Sequence, residues 1–398
     1  MTAQLTVDDR RAARRGTAAL IVAAVGVLLV AANLRPAVVA VAPLIGDIQH
    51  DTGFSGAVAG LLTTLPLMIF GLVAPGAPWL AARFGIERTV FAALLVLIGG
   101  ILLRWVPGAA PLFAGTVLAA AAIGVCNVVL PGLVRRDFAG HAGLMTGLYS
   151  MTVSGGAAAA AAFTVPIDDA VGGDWRLTLA VWAVPVLIAA AVWTPQLSRL
   201  STGRYVRPKP LWRNKIAWAI TLLMGSQSFV FYTFAAWLPA YLADLGYSRT
   251  QAGAILAAGQ LVAVFGSLIT PIIAGRFSDQ RAIGLLITSL SVAGLAGLLL
   301  TGGGTVFWCI LFLSGPASTL GLCLLLMVRR GNSTEQTNQV SGMSQTVGYL
   351  LAAVGPFLLG AVYDLTGSWH LAFLVIALAL ASQAWGAAVA GRDVAMTD

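Results

Sequence analysis

The sequence predicts an all-α membrane protein of twelve transmembrane helices in two pseudo-symmetric six-helix bundles, and three observations carry that reading. Hydrophobic residues make up 59% of the chain against 10% charged, and mean hydropathy is +0.89. That balance leaves too little polar surface to coat a water-soluble domain. Twelve apolar stretches approach the roughly 20 residues needed to cross a bilayer, and a basic segment divides them six and six. Short motifs of the first six recur in the second six at a nearly constant offset.

The elements follow in order. Residues 1–16 form a tail in which Arg10, Arg11, Arg14 and Arg15 precede the first apolar stretch. That stretch is too long for a signal peptide and has no clear small-residue cleavage site, so it is read as an uncleaved helix. The N-terminal bundle, 17–195, holds helices near 17–46, 54–82, 89–107, 111–134, 142–166 and 176–195. A basic linker, 196–215, precedes the C-terminal bundle, 216–390. Its helices lie near 216–243, 250–275, 282–301, 305–328, 338–363 and 369–390, and residues 391–398 form a second tail.

Loop charge sets the orientation, because Lys and Arg accumulate on the cytoplasmic side. With the N-terminus inside, nineteen of the 23 basic residues fall on that side, in the tails, the linker and the turns after helices 2, 4, 8 and 10. The linker alone carries Arg199, Arg204, Arg207, Lys209, Arg213 and Lys215. Arg104, Arg176 and Arg249 fall outside. Both termini are therefore expected in the cytoplasm and the protein in a bacterial inner membrane. The net charge of +8 reads as a topology signal, not as a nucleic-acid surface. The outer loops are acidic, with Asp47, Asp51, Asp168, Asp169, Asp174, Asp244 and Asp364, and those carboxylates are assigned to solvent. Cys126, Cys309 and Cys323 sit in apolar runs without CxxC spacing, which indicates neither a disulfide framework nor a metal site.

Internal repetition follows. Thr146-Gly-Leu-Tyr-Ser-Met in helix 5 aligns with Ser341-Gly-Met-Ser-Gln-Thr in helix 11 at an offset of 195, and helices 4 and 10 both end in Val-Arg-Arg. Transporters are commonly built from related halves with the substrate site between them.

Arg35 is the one charged side chain that no tail, loop or helix end accommodates. It lies in Asn33-Leu-Arg-Pro-Ala, within helix 1, where a cation costs several kcal/mol unless it meets water, a counter-ion or a ligand. No carboxylate lies at comparable depth, so Arg35 is expected to face a cavity and receive an anionic or strongly polar solute. Thr146, Tyr149, Ser150 and Ser154 share one face of helix 5; Ser341, Ser344, Gln345 and Tyr349 repeat that spacing in helix 11. Such a face lines a cavity or supplies small hydrogen-bonding contacts between helices. Helix 7 adds Gln227, Ser228, Tyr232, Thr233 and Trp237, and Asn127 and Gln260 are isolated amides. Arg35, Asn127, Tyr149, Ser150, Gln227, Tyr232, Gln345 and Tyr349 are thus the candidate substrate ligands.

No P-loop, HExxH or catalytic cluster is present, so an enzyme or ATP-driven pump is not expected, nor is a cofactor. His50, His141 and His370 fall at loops. A gradient-driven or facilitative carrier, acting as a monomer on a small molecule, is the primary expectation. A multidrug or metabolite exporter of the same build is the alternative, and a membrane sensor a more distant one.

The six-plus-six arrangement resembles the major facilitator superfamily over the whole chain. Pro78-Trp-Leu-Ala-Ala-Arg83-Phe-Gly85-Ile-Glu-Arg88 is similar to that superfamily's signature after helix 2, with Pro78 where the first Gly is usual and Ala82 where the Asp is usual. Arg276, Asp279 and Arg281 occupy the equivalent loop of the second half. The resemblance implies the major facilitator fold and a gating role for Arg83, Gly85, Arg88, Arg276, Asp279 and Arg281. Asn33-Leu-Arg35-Pro with Ala42-Pro43-Leu44, Leu61-Leu-Thr-Thr-Leu-Pro66, Asn127-Val-Val-Leu-Pro-Gly-Leu, Trp237-Leu-Pro239 and Ser341 to Tyr349 resemble, more narrowly, the branch of cyanate and 2-nitroimidazole transporters.

Overall fold

The computed structural model describes residues 7–198 and 211–396. Arg199, Arg204, Arg207 and Lys209 of the linker and the extremities of both tails lie outside the described residues. The first crossing runs through α1 (Val7–Ala32), α2 (Pro36–Val39) and α3 (Ile45–Thr52); the second is α4 (Gly56–Val73) continued by α5 (Ala77–Phe84). Then come α6 (Ile86–Leu103), α7 (Ala109–Phe138), α8 (Ala142–Ala170), and α9 (Trp175–Val181) with α10 (Ala183–Trp193). The second half is α11 (Lys215–Asp244), α12 (Arg249–Ala274), α13 (Arg281–Leu300), α14 (Thr305–Arg330), α15 (Thr334–Thr366) and α16 (Trp369–Ala390). Eleven apolar segments of spanning length occur among the described residues, and the longest, Ala109–Ala170, contains both α7 and α8. The crossings therefore number twelve, as hydropathy predicts.

Prolines set the interruptions. The second crossing tightens into a single 3-10 turn at Ala74–Gly76, where Pro75 and Pro78 each withhold a backbone donor, and then resumes as α5. Gly85, at φ 86°, ends α5 in a backbone region that side chains rarely adopt, which lets α6 turn back at once.

In the N-terminal half α6 packs on α7 and α10; in the C-terminal half α11 packs on α15 and α16, and α14 on α12 and α13. The halves meet through α8 against α12 and through α4 and α5 against α15. In crossing numbers these pairs are 5 with 8 and 2 with 11, which exchange when six is added, so the seam itself has the pseudo-twofold symmetry of the repeat.

Glycines bring the seam together where the crossings approach the linker. A Cβ on Gly143 of α8 would lie 2.7 Å from the Pro271 carbonyl oxygen and 3.1 Å from Gly275 Cα; one on Gly342 of α15 would lie 3.1 Å from the Ala74 oxygen and 3.3 Å from Pro78 Cγ. Close backbone approach at small residues is how helices gain packing energy in lipid. At the same end the Arg135 guanidinium donates to the Val328 carbonyl across the seam.

The opposite end shows a burial that loop counting does not predict. Arg104, placed by loop counting among the outer basic residues, is 1% exposed and turned into the N-terminal bundle. The outer carboxylates are exposed or partly so, yet several are engaged. Asp51 pairs with Arg176 at 2.5 Å, Asp174 caps α9, and Asp244 accepts from Tyr363 Oη and Trp369 Nε1 at 2.8 Å each.

Candidate functional site

Arg35 does not sit in a continuous helix as the apolar run suggests; it occupies a break. Pro36 has no N–H and disfavours helical geometry in the residue before it, and Arg35 takes φ −123°, ψ −37°. The chain turns over Asn33–Arg35, with Asn33 N and Leu34 N bonding the Val30 and Ala31 carbonyls in place of a regular ladder. Replacement donors serve the freed acceptors. Asn33 Nδ2 reaches Leu29 O at 2.8 Å and Pro185 O of α10 at 3.2 Å. Gly156 of α8 lies so close to the Ala32 carbonyl that a side chain there would overlap it.

The break aims the half-buried Arg35 at the seam. Its Nη2 donates to Tyr349 Oη of α15 at 3.2 Å, and its Cζ lies 6.0 Å from the Phe70 ring centroid, whose ring is 5.1 Å from that of Tyr349. A narrow cleft opens here between the halves. Its walls are Arg35, Asn127, Tyr149, Ser150, Gln345 and Tyr349, with apolar patches from Val153, Met224, Leu320 and Leu324. Six of the eight candidate ligands are thus brought together from α7, α8, α15 and the break.

Their polar atoms differ in availability. Ser150 Oγ donates to its own helix at Thr146 O (2.8 Å). Asn127 Nδ2 and Gln345 Oε1 are buried without a hydrogen-bond partner, at side chains 4% and 3% exposed. Each amide thus keeps one polar atom unpartnered beside the cleft. An orphaned buried polar atom costs about 1–3 kcal/mol, which a bound polar molecule offsets.

The other two candidates stand apart from the lining. Gln227 Nε2 bonds Ser228 Oγ at 2.7 Å and Met224 Sδ at 3.4 Å, and it is Met224 that represents α11 in the cleft. Tyr232 packs edge-on against Phe231 at 5.2 Å, within the electrostatic reach of Arg35. The two polar stripes also divide their roles. Tyr149, Ser150, Gln345 and Tyr349 face the cleft, whereas Ser344 Oγ bonds Thr221 Oγ1 (3.1 Å) and Ser341 Oγ bonds the Asn127 carbonyl across the seam (3.4 Å).

At the linker end Arg83 stacks on Trp79 and Phe84, with ring centroids at 5.5 and 5.6 Å, and Arg88 and Arg276 are exposed. Asp279 and Arg281 pair with each other at 2.7 Å, and those hydrogen bonds hold the Asp279 carboxyl below the ordinary aspartate range. The buried charge of this loop is Glu87, which sequence reasoning passed over. It meets Arg136 at 2.6 Å, Arg136 also binds Asp137, and Trp193 Nε1 donates to the Glu87 carbonyl. In the second half Arg330 holds the matching place, bonding Gln280 and pairing with Asp393 at 2.9 Å.

Residues 24–356 match the sequence profile of the Major Facilitator Superfamily. The chain is 38% identical to the 2-nitroimidazole transporter of Escherichia coli (strain K12) over 379 residues, covering 94% of this chain and 96% of that protein. It is 36% identical to the uncharacterized transporter YycB of Bacillus subtilis (strain 168), covering 92% and 93%. The cyanate transport protein CynX of Escherichia coli (strain K12) is 28% identical, covering 86% and 90%. Among solved structures, the transporter FucP in its outward conformation superposes with a TM-score of 0.70 at 15% identity, covering 91% of this chain and 97% of that one. This twelve-helix membrane chain belongs to the Major Facilitator Superfamily.

Proposed function

We propose that the chain carries a small anionic or polar planar solute, of cyanate-like or nitroheterocycle-like chemistry, across the inner membrane by alternating access, with Arg35 as the main polar anchor. The observation that supports this most directly is the Arg35 guanidinium, a permanent cation on the seam whose cleft contains no carboxylate among its lining residues. Such a charge is costly at membrane depth, and an oxygen-bearing anion or a nitro group that accepts from it offsets the cost. Asn127 and Gln345 then read the rest of the molecule through their unpartnered amide atoms, and Tyr149 and Tyr349 flank a flat one. An exporter of cationic drugs would call for an acidic group where Arg35 stands. Two relatives are named for 2-nitroimidazole and for cyanate transport, which supports this reading.

The excess of basic residues at the linker end supports a cytoplasmic position for that end. The seam is packed at that end in this form. Opening the linker end while closing the outer one delivers the solute to the other side. One chain encloses the cleft, so the transporting unit is the monomer.

Counterflow of radiolabelled cyanate and of 2-nitroimidazole in proteoliposomes tests the anchor. Arg35→Ala abolishes exchange and Arg35→Lys, which loses the planar fork, impairs it severely, while both variants melt as the native protein does. Normal exchange by Arg35→Ala removes Arg35 from the site.

A further inference from the structure

Arg104 is a second buried cation, and the transport reading above gives it no task. It follows the last residue of α6, its side chain is 1% exposed, and Nη1 donates to the Ala37 carbonyl at 2.8 Å. Nε and Nη2 have no partner, and no carboxylate among the described residues pairs with it. The neighbouring helix is shaped to admit it. A Cβ on Gly115 of α7 would lie 2.7 Å from Arg104 Cγ, so the aliphatic stem crosses α7 where that helix has no side chain.

The acceptor is specific as well. In an unbroken helix Ala37 O would take the N–H of Val41, but Val41 N bonds Val38 O instead and α2 stops after four residues. Pro43 is the next residue along the chain that withholds a donor. Arg104 thus supplies the missing hydrogen bond to the segment that begins one residue after Arg35. A neutral amide would serve that carbonyl at far smaller electrostatic cost, since an unpaired buried cation is expensive. Fold stability alone does not account for an arginine here.

We propose that Arg104 is a positioning residue for solute binding. By pinning Ala37 it keeps the first crossing broken and holds Arg35 aimed at the seam. The inference rests on the reading of Arg35 as the solute's anchor. Without Arg104, Ala37 O must find another donor, and the nearest is the backbone of its own chain. Regaining regular helix there rotates Arg35 away from Tyr349.

Counterflow half-saturation for cyanate and for 2-nitroimidazole is measured with Arg104→Gln, Arg104→Lys, Arg35→Lys and the double variant Arg35→Lys/Arg104→Gln, beside melting of the unliganded protein. Isothermal titration replaces counterflow where exchange is too slow. Arg104→Gln raises half-saturation about tenfold, the scale of one charge-assisted hydrogen bond, while its melting temperature stays level or rises because an unpaired buried charge is gone. Arg104→Lys, which keeps a charged donor, recovers part of the affinity. On the Arg35→Lys background Arg104→Gln adds nothing further, because its effect runs through Arg35. Unchanged half-saturation in Arg104→Gln, or losses that multiply in the double variant, overturns the inference. A lowered melting temperature at native half-saturation overturns it too, since that is what a structural strut gives. Should Arg104→Gln fail to fold, Arg104→Lys decides by the same criteria. Full exchange by Arg35→Ala and Arg35→Lys sinks the anchor and this inference together; loss at Arg35 with a silent Arg104 sinks this inference alone.

Discussion

Gly143→Ala should drive the carrier out of the form in which the seam is closed at the linker end. In that form the new Cβ would lie 2.7 Å from the Pro271 carbonyl oxygen and 3.1 Å from Gly275 Cα, and both obstacles are backbone of α12 that no rotamer change can clear. Overpacking of a tight contact costs about 1–3 kcal/mol. The cost falls only on the form in which α8 and α12 touch at the linker end, so it converts into a population shift of about 5- to 150-fold. Gly155→Ala, in the same helix but with nothing within 4 Å of its Cβ, is the matched control. Ser341, fully buried at the seam and bonded to the Asn127 carbonyl, reports the opening once replaced by Cys in a background lacking Cys126, Cys309 and Cys323. Labelling by a water-soluble maleimide should accelerate by that factor in Gly143→Ala and not in Gly155→Ala. Equal labelling rates in two variants of equal melting temperature would refute the packing argument.

Arg136→Gln strands Glu87, whose side chain is 5% exposed, and removal of one partner from a buried pair costs about 3–5 kcal/mol. Because Arg136 is itself 27% exposed, the lower part of that range is expected as a drop in melting temperature in detergent. Glu87→Gln should cost less, since Arg136 keeps Asp137; equal losses would contradict this assignment. Asp279 offers a pH test. Its folded pKa is depressed by Arg281, so the contribution exists above the unfolded value of about 3.9 and disappears as pH falls through the folded value. Melting of Asp279→Asn should trail the native protein slightly near neutrality and converge with it in acid, the pair being exposed; a gap that widens in acid would reverse the sign.

Much of this was legible in the sequence because lipid imposes length. The twelve crossings follow from where apolar residues run and where Arg and Lys interrupt them. Arg35 was legible as an expense without a counter-charge. What the sequence could not convey is direction. Arg104 stands at the expected end of its helix, but whether it points to water or inward depends on Gly115, eleven positions later and on another helix. Asn33-Leu-Arg-Pro signals a disturbed helix, yet a kink and a break look alike until the donors from Asn33 and Arg104 are seen. Gln227 and Gln345 are equally polar on paper; the first is satisfied by its own helix and the second is not. The apolar lining, Val153, Met224, Leu320 and Leu324, gave no signal, because apolar faces toward a cleft, a neighbour or lipid are written in the same residues.

The bond from Arg35 to Tyr349 joins the first crossing of one half to the eleventh of the other. If solute accepts from Arg35, it competes with that bond, so occupancy and loosening of the seam become one event. The empty carrier is then clasped and the loaded one unclasped, and a Tyr349→Phe carrier would lose the distinction, exchanging its two forms without regard to cargo.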